Sequence, residues 1–153
     1  MITTVIILGQ KEFENSKELI YGKKPLISIS GTGIENELGI ESSEKTLKLF
    51  FDDIPPSTVA MLQHCNIAML RCCKVFNRFQ AKRIIDFLDW FHSDEESHTL
   101  VVHCDAGVCR SGAVGKFAQL FFSSMSNENY HILNPIVVPN TWVFDVLCYC
   151  LIR

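Results

Sequence analysis

The sequence predicts an α/β fold in a single domain over residues 1–153, with a central, mostly parallel sheet of four to five strands and helices on both faces. Three observations predict it. Short apolar, β-branched-rich runs recur along the chain, and segments with three- and four-residue apolar spacing lie between and after them. That alternation is the pattern of a parallel sheet whose crossovers cover it with helices. The third observation is one of size: 153 residues with 48% hydrophobic content suit one core.

The strands are expected at Thr3 to Leu8, Pro25 to Ser30, Thr46 to Phe51 and Thr99 to Cys104. The clearest helix runs from Phe76 to Phe91, where Phe76, Phe79, Ile84, Phe87, Leu88 and Phe91 repeat at helical steps while Lys82, Arg83, Asp86 and Asp89 face elsewhere. Its aromatics are read as core. A second helix is expected over Ser111 to Phe122. A third covers Asn140 to Ile152, with Asn140 after Pro139 as its N-cap. Ser57 to Lys74 has helical potential through Met61, Leu62, Ile67, Met69 and Leu70. Gly31-Thr32-Gly33 lacks the third glycine of a nucleotide loop and is followed by Glu35 and Glu37, so it reads as an ordinary surface loop. There is no internal repeat or low-complexity tract.

Composition narrows the functional classes. A net charge of -3 and a pI near 5.9 give no electrostatic reason to expect nucleic acid or an acidic membrane surface as partner. Met1 to Leu8 is too short for a secretory signal, and no apolar run approaches a membrane span, so cytoplasmic residence is the expectation. The seven cysteines are odd in number and unevenly placed, which fits a reducing compartment better than a disulfide scaffold. His64-Cys65 and Cys72-Cys73 lack the spacing of a metal site and read as packed thiols; no metal or organic cofactor is expected.

The chemistry concentrates in Leu100 to Ala113, where Cys104 and Arg110 stand at the ends of a five-residue spacer between an apolar strand and a helix-compatible stretch. Gly107 permits a sharp loop in which the amides of Asp105, Ala106, Gly107, Val108, Cys109 and Arg110 converge on an anion, aided by the N-terminal dipole of the following helix. Amide nests, helix N-termini and guanidinium groups stabilise thiolates, so Cys104 is expected to act as a nucleophile in its anionic form. Arg110 offers a planar fork matching two phosphoryl oxygens. Ser111 is placed to donate a hydrogen bond to sulfur, easing its later departure. His103 should point to the opposite side of the strand and act through other groups. Cys109 lies within the loop and reads as a small side chain, with a resolving-thiol role as the alternative.

His103-Cys104-x5-Arg110-Ser111, with Ala106 and Gly107 between, resembles the signature of the cysteine-dependent protein tyrosine and dual-specificity phosphatases, in particular small bacterial and phage-like members. The resemblance implies a phosphotyrosine protein phosphatase-like fold and hydrolysis of a phosphorylated protein or peptide through a phosphocysteine intermediate, without cofactor. Such chemistry needs a proton donor for the leaving oxygen. Phe50-Phe51-Asp52-Asp53-Ile54-Pro55-Pro56 is similar to the family's acid loop; the resemblance casts Asp53 as the donor, with Asp52 in reserve, against the simpler reading of a polar turn. Asp53 precedes Cys104 by fifty-one positions, longer than is usual in the family, and the extra residues fall around Ser57 to Lys74. A sulfurtransferase, an arsenate reductase and a non-catalytic phosphate-binding module are the competing classes. Phosphotyrosine and phosphoserine or phosphothreonine are not separable from the sequence.

Overall fold

The computed structural model describes residues 2–32, 38–64, 73–94, 96–125, 131–133 and 137–152. The described residues form ten elements in this order: β1 (Ile2–Leu8), α1 (Gln10–Ile20), β2 (Leu26–Ser30), β3 (Thr46–Phe50), α2 (Pro56–His64), α3 (Arg78–His92), β4 (His98–His103), α4 (Arg110–Met125), β5 (His131–Leu133) and α5 (Thr141–Leu151). The strands form one sheet in the order β3-β2-β4-β1-β5, and every pairing is parallel. This is the α/β architecture expected from the sequence.

Side-chain alternation along β4 divides the core between the two faces. Leu100 and Val102 join Val5, Ile7, Ile27 and Ile29 on the face covered by α3, α4 and α5, where Ile84, Leu88, Phe91, Phe117, Phe121 and Leu147 complete the larger cluster. Val101 turns the other way and packs with Leu26, Ile40 and the α1 residues Phe13 and Ile20. Each fully buried aliphatic or aromatic side chain contributes about 1.5–3 kcal/mol relative to exposure, so the three-helix face dominates stability.

Helix α3 begins later than its periodicity predicts. The Asn77 side chain accepts from Phe79 N and Gln80 N, at 3.0 and 3.2 Å, and the Gln80 side chain accepts from Asn77 N at 3.0 Å. This capping box fixes Arg78 as the first helical residue and leaves Phe76, buried, in the preceding loop. Phe79, expected in the core, is 73% exposed. The buried stripe is Ala81, Ile84, Leu88 and Phe91, and Phe79 lies about 200° around the helix from Ala81. The helical potential around residues 57–74 is realised over Pro56–His64; residues 65–72 lie outside the described part of the chain. Among the described residues no helix is long and apolar enough to cross a membrane.

Strands β1 and β4 are central neighbours, with Leu8 opposite His103. Their carboxyl ends sit where the chain has gone out to β3 and returned, the position at which ligand crevices open in sheets of this type.

Candidate active site

The loop leaving β4 turns back on the end of β1. Cys104 N donates to Leu8 O at 3.4 Å and Gln10 N to Asp105 O at 2.9 Å, which pins the loop beside Gly9. Gly107 closes the turn at φ 72°, and a Cβ there would lie 2.4 Å from Gly9 N, so both the backbone angle and the contact require glycine. Ala113 N donates to Cys109 O at 2.9 Å as α4 begins. Among the described residues no backbone carbonyl accepts from the amides of Asp105 to Arg110. They remain as a nest at a helix N-terminus.

Cys104 and Ser111, seven residues apart, meet across the base of this loop with Sγ and Oγ 3.1 Å apart, and both are buried. Arg110 is buried as well. Its guanidinium donates to Phe51 O at 3.0 Å and pairs with the Asp105 carboxylate. Two of its five N–H donors are thereby engaged, and its plane is fixed before any ligand arrives. The sequence assigns Asp105 only a backbone amide; its side chain is in addition the ionic partner of Arg110. A cleft of about 400 Å³, lined by Gly9, Gln10, Lys11, Glu12, Asp105, Ala106 and Val108, borders the loop.

The two carboxylates after β3 are separated by their surroundings. Phe51 is buried against Phe76, with ring centroids 4.7 Å apart, and anchors the loop. Asp52 turns inward. Burial alone would raise its pKa, but the Thr32 amide (2.8 Å) and hydroxyl (2.7 Å), the Lys74 amide (2.8 Å) and the nearby Arg110 outweigh it and hold the carboxyl below the ordinary range. Thr32 belongs to the segment expected to be an ordinary surface loop. Gly31 is instead buried, and a Cβ on it would come 3.2 Å from Asp52 Oδ1 and 3.5 Å from an Arg110 nitrogen, so this turn walls the site.

Asp53 is exposed and faces the phosphate-type loop. It accepts from Asn140 Nδ2 at 2.7 Å. The Cys109 thiol also contacts this carboxylate: burial first, then the hydrogen bond and charge of Asp53, push the thiol pKa up. Cys104 and Cys109 are both free thiols. Asn140, read from the sequence as a helix cap, does accept from Val143 N at 3.2 Å, and it also reaches the acid loop. The structure thus gathers Cys104, Arg110, Ser111, Asp53 and the amides of 105–110 at one end of the sheet.

His103 points away from Cys104, as strand alternation requires. It stacks on Phe13 of α1 with centroids 4.1 Å apart and planes 8° from parallel. Neither ring nitrogen has a hydrogen-bond partner among the described residues. Burial depresses its pKa from 6.5 to about 4, with Asp105 opposing more weakly. A histidine depressed on folding binds its proton more readily in the unfolded chain. Its contribution is therefore fully present above pH 6.5, is lost as the pH falls from there toward 4, and changes no further below. We expect urea unfolding to show a loss of roughly 2 kcal/mol between pH 7 and pH 5, and His103→Phe to flatten that slope. An unchanged slope in the variant would assign the titration elsewhere.

A separate apolar groove of about 530 Å³ lies between α2 and α5, lined by Val59, Leu62, Val75, Trp142, Val146 and Tyr149 among others. Cys104 does not line it. Among the described residues no group of three His, Cys, Asp or Glu side chains is placed to hold a metal ion. Compared with models of protein families the chain matches none, and no curated protein matches it either.

Proposed function

We propose that the protein is a cysteine-dependent phosphoprotein phosphatase. The observation that carries the reading is the ring closed by Cys104 Sγ and Ser111 Oγ at 3.1 Å beneath a loop whose amides have no backbone carbonyl partner among the described residues, with a guanidinium already held by Phe51 O at its rim. These groups are complementary to a tetrahedral dianion and to the equatorial charge that grows in its displacement.

In the first step the Cys104 sulfur attacks phosphorus in line, and an S–P bond forms as the P–O bond to the leaving group breaks. Asp53 gives its proton to the departing oxygen. In the second step water attacks the phosphocysteine, Asp53 takes a proton from it, and sulfur leaves as a thiolate stabilised by the Ser111 hydroxyl. Asp52, engaged by Thr32 and Lys74, keeps the loop in place and has no part in proton transfer.

The carboxylate of Asp105 beside Arg110 adds negative charge at the rim, which disfavours highly phosphorylated inositides and supports a phosphorylated protein or peptide. The free thiols at Cys104 and Cys109 suit the reducing cytoplasm.

The test is hydrolysis of p-nitrophenyl phosphate with acid-quench trapping of the intermediate. Phosphate release with the label found on Cys104 is the expected result. Phosphate binding without turnover would favour a non-catalytic recognition module, and thiocyanate or arsenite formation would favour the other cysteine-loop enzymes.

A further inference from the structure

Asn140 makes more contacts than a helix cap needs. Only 8% exposed, it ties three parts of the molecule together. Its backbone amide donates to Cys109 O at 3.1 Å, in the phosphate-type loop. Its side-chain oxygen accepts from Val143 N at 3.2 Å, at the start of α5. Its Nδ2 donates both to Asp53 Oδ1 at 2.7 Å and to Ile54 O at 3.0 Å, across 87 and 86 residues of sequence. Capping alone would use the oxygen and leave the amide nitrogen in solvent; here both nitrogen hydrogens are committed to the acid loop.

We propose that Asn140 is the positioning residue of the general acid, a clasp that sets the register between the Asp53 loop and the Cys104 loop and decides which carboxyl oxygen carries the proton. The inference rests on the phosphatase reading above. An N–H donor at 2.7 Å holds Oδ1 as an acceptor in both protonation states, so the transferable proton resides on Oδ2. Placement of a proton donor to within fractions of an ångström is what separates efficient from poor proton transfer. Cys109 contributes the other side of the clasp: its carbonyl fixes the Asn140 backbone and its thiol meets the same carboxylate. Cys109 is a titratable side chain facing Asp53 from the phosphate-type loop, whereas Asn140, facing it from the N-cap of α5, does not titrate.

A clasp and a mere cap are separated by Asn140→Ser. Serine is as good an N-cap as asparagine, so α5 keeps its start, but its short hydroxyl does not span to Asp53. The readout is kcat for two aryl phosphates, one with a good leaving group (2,4-dinitrophenyl phosphate) and one with a poor one (phenyl phosphate). General-acid assistance is worth ~10²–10⁴-fold where the leaving group needs it, so kcat on phenyl phosphate should fall ~30-fold or more and on the dinitrophenyl ester by less than ~3-fold. The basic limb of the pH profile should weaken in parallel, and Asn140→Ser should cost little further in an Asp53→Asn background.

Asn140→Asp keeps both size and cap and serves if the serine variant is poorly folded. There a carboxylate faces Asp53 in place of the amide, and the basic limb should move to higher pH. Equal losses on both substrates, an unmoved basic limb, or full additivity with Asp53→Asn would overturn the clasp while leaving the phosphatase intact. Absent wild-type turnover, or turnover that survives loss of the Cys104 thiol, would instead overturn the reading on which it rests.

Discussion

Cys104→Ser is expected to lower kcat on an aryl phosphate by at least ~10⁴-fold, to the background rate, because losing the nucleophile of a covalent mechanism removes a route that the remaining groups cannot replace. The serine hydroxyl is close to isosteric with the thiol and still meets Ser111, so the loop's other contacts are retained. In the proposed mechanism the oxyanion is held by those contacts, the amides of residues 105–110 and the guanidinium that donates to Phe51 O. Isothermal titration should therefore show tungstate or phosphate bound by the variant about as well as by the parent. The pair of results is diagnostic: catalysis gone with binding kept assigns the sulfur to bond making. Turnover that persists in the serine variant would mean that water attacks phosphorus directly in this cradle.

The parts of this molecule that the sequence makes legible are those whose physics is local. Residues 103–111 are contiguous, so a strand end, a glycine turn and a helix start declare themselves within nine positions, and the structure places Ser111 beneath Cys104 as the spacing implies. Strand positions follow from apolar runs, and their bounds shift by only a residue at most ends. Helix α1 is harder to see. Its sequence, QKEFENSKELI, is polar apart from a few residues and buries only Phe13 and Ile20, so its existence depends on packing against Val101 and Leu26. Strand β5 is three residues long and carries almost no periodic signal.

What the sequence hides is contact over distance. The pairing of Arg110 with Asp105 is a choice among several carboxylates, settled only when the loop closes. The stacking of His103 on Phe13 joins two residues ninety positions apart. Gly31-Thr32-Gly33 reads as a surface loop because it lacks the third glycine of a nucleotide loop and is followed by Glu35 and Glu37, yet Thr32 supplies donors that hold Asp52. A polar residue read singly looks solvated; read with its partner it is a wall of the site. Phe79 is the converse, an aromatic that fits a helical spacing but falls off the buried stripe once Asn77 fixes where the helix starts.

The division of labour between Asp52 and Asp53 yields the second large effect. Asp53→Asn should lower kcat on phenyl phosphate by ~10²–10³-fold and flatten the basic limb of the pH profile, since an amide has no proton of suitable acidity to give the leaving oxygen. Asp53 is exposed, so folding stability should be nearly unchanged. Asp52→Asn should do the opposite. Its carboxylate receives charge-assisted bonds from Thr32 and the Lys74 amide, and hydrogen bonds to charged groups are worth about 1.5–3 kcal/mol each, less where solvent reaches them. A carboxyl depressed on folding stabilises the protein above its unfolded pKa, and that contribution is lost as the pH falls through the depressed value. Urea midpoints should therefore drop for Asp52→Asn at neutral pH and converge with the parent in acid, while kcat on a good leaving group changes little. If instead Asp52→Asn abolishes the basic limb and Asp53→Asn leaves it, the proton donor is the less exposed member of the pair, and the Thr32 and Lys74 contacts must open during turnover.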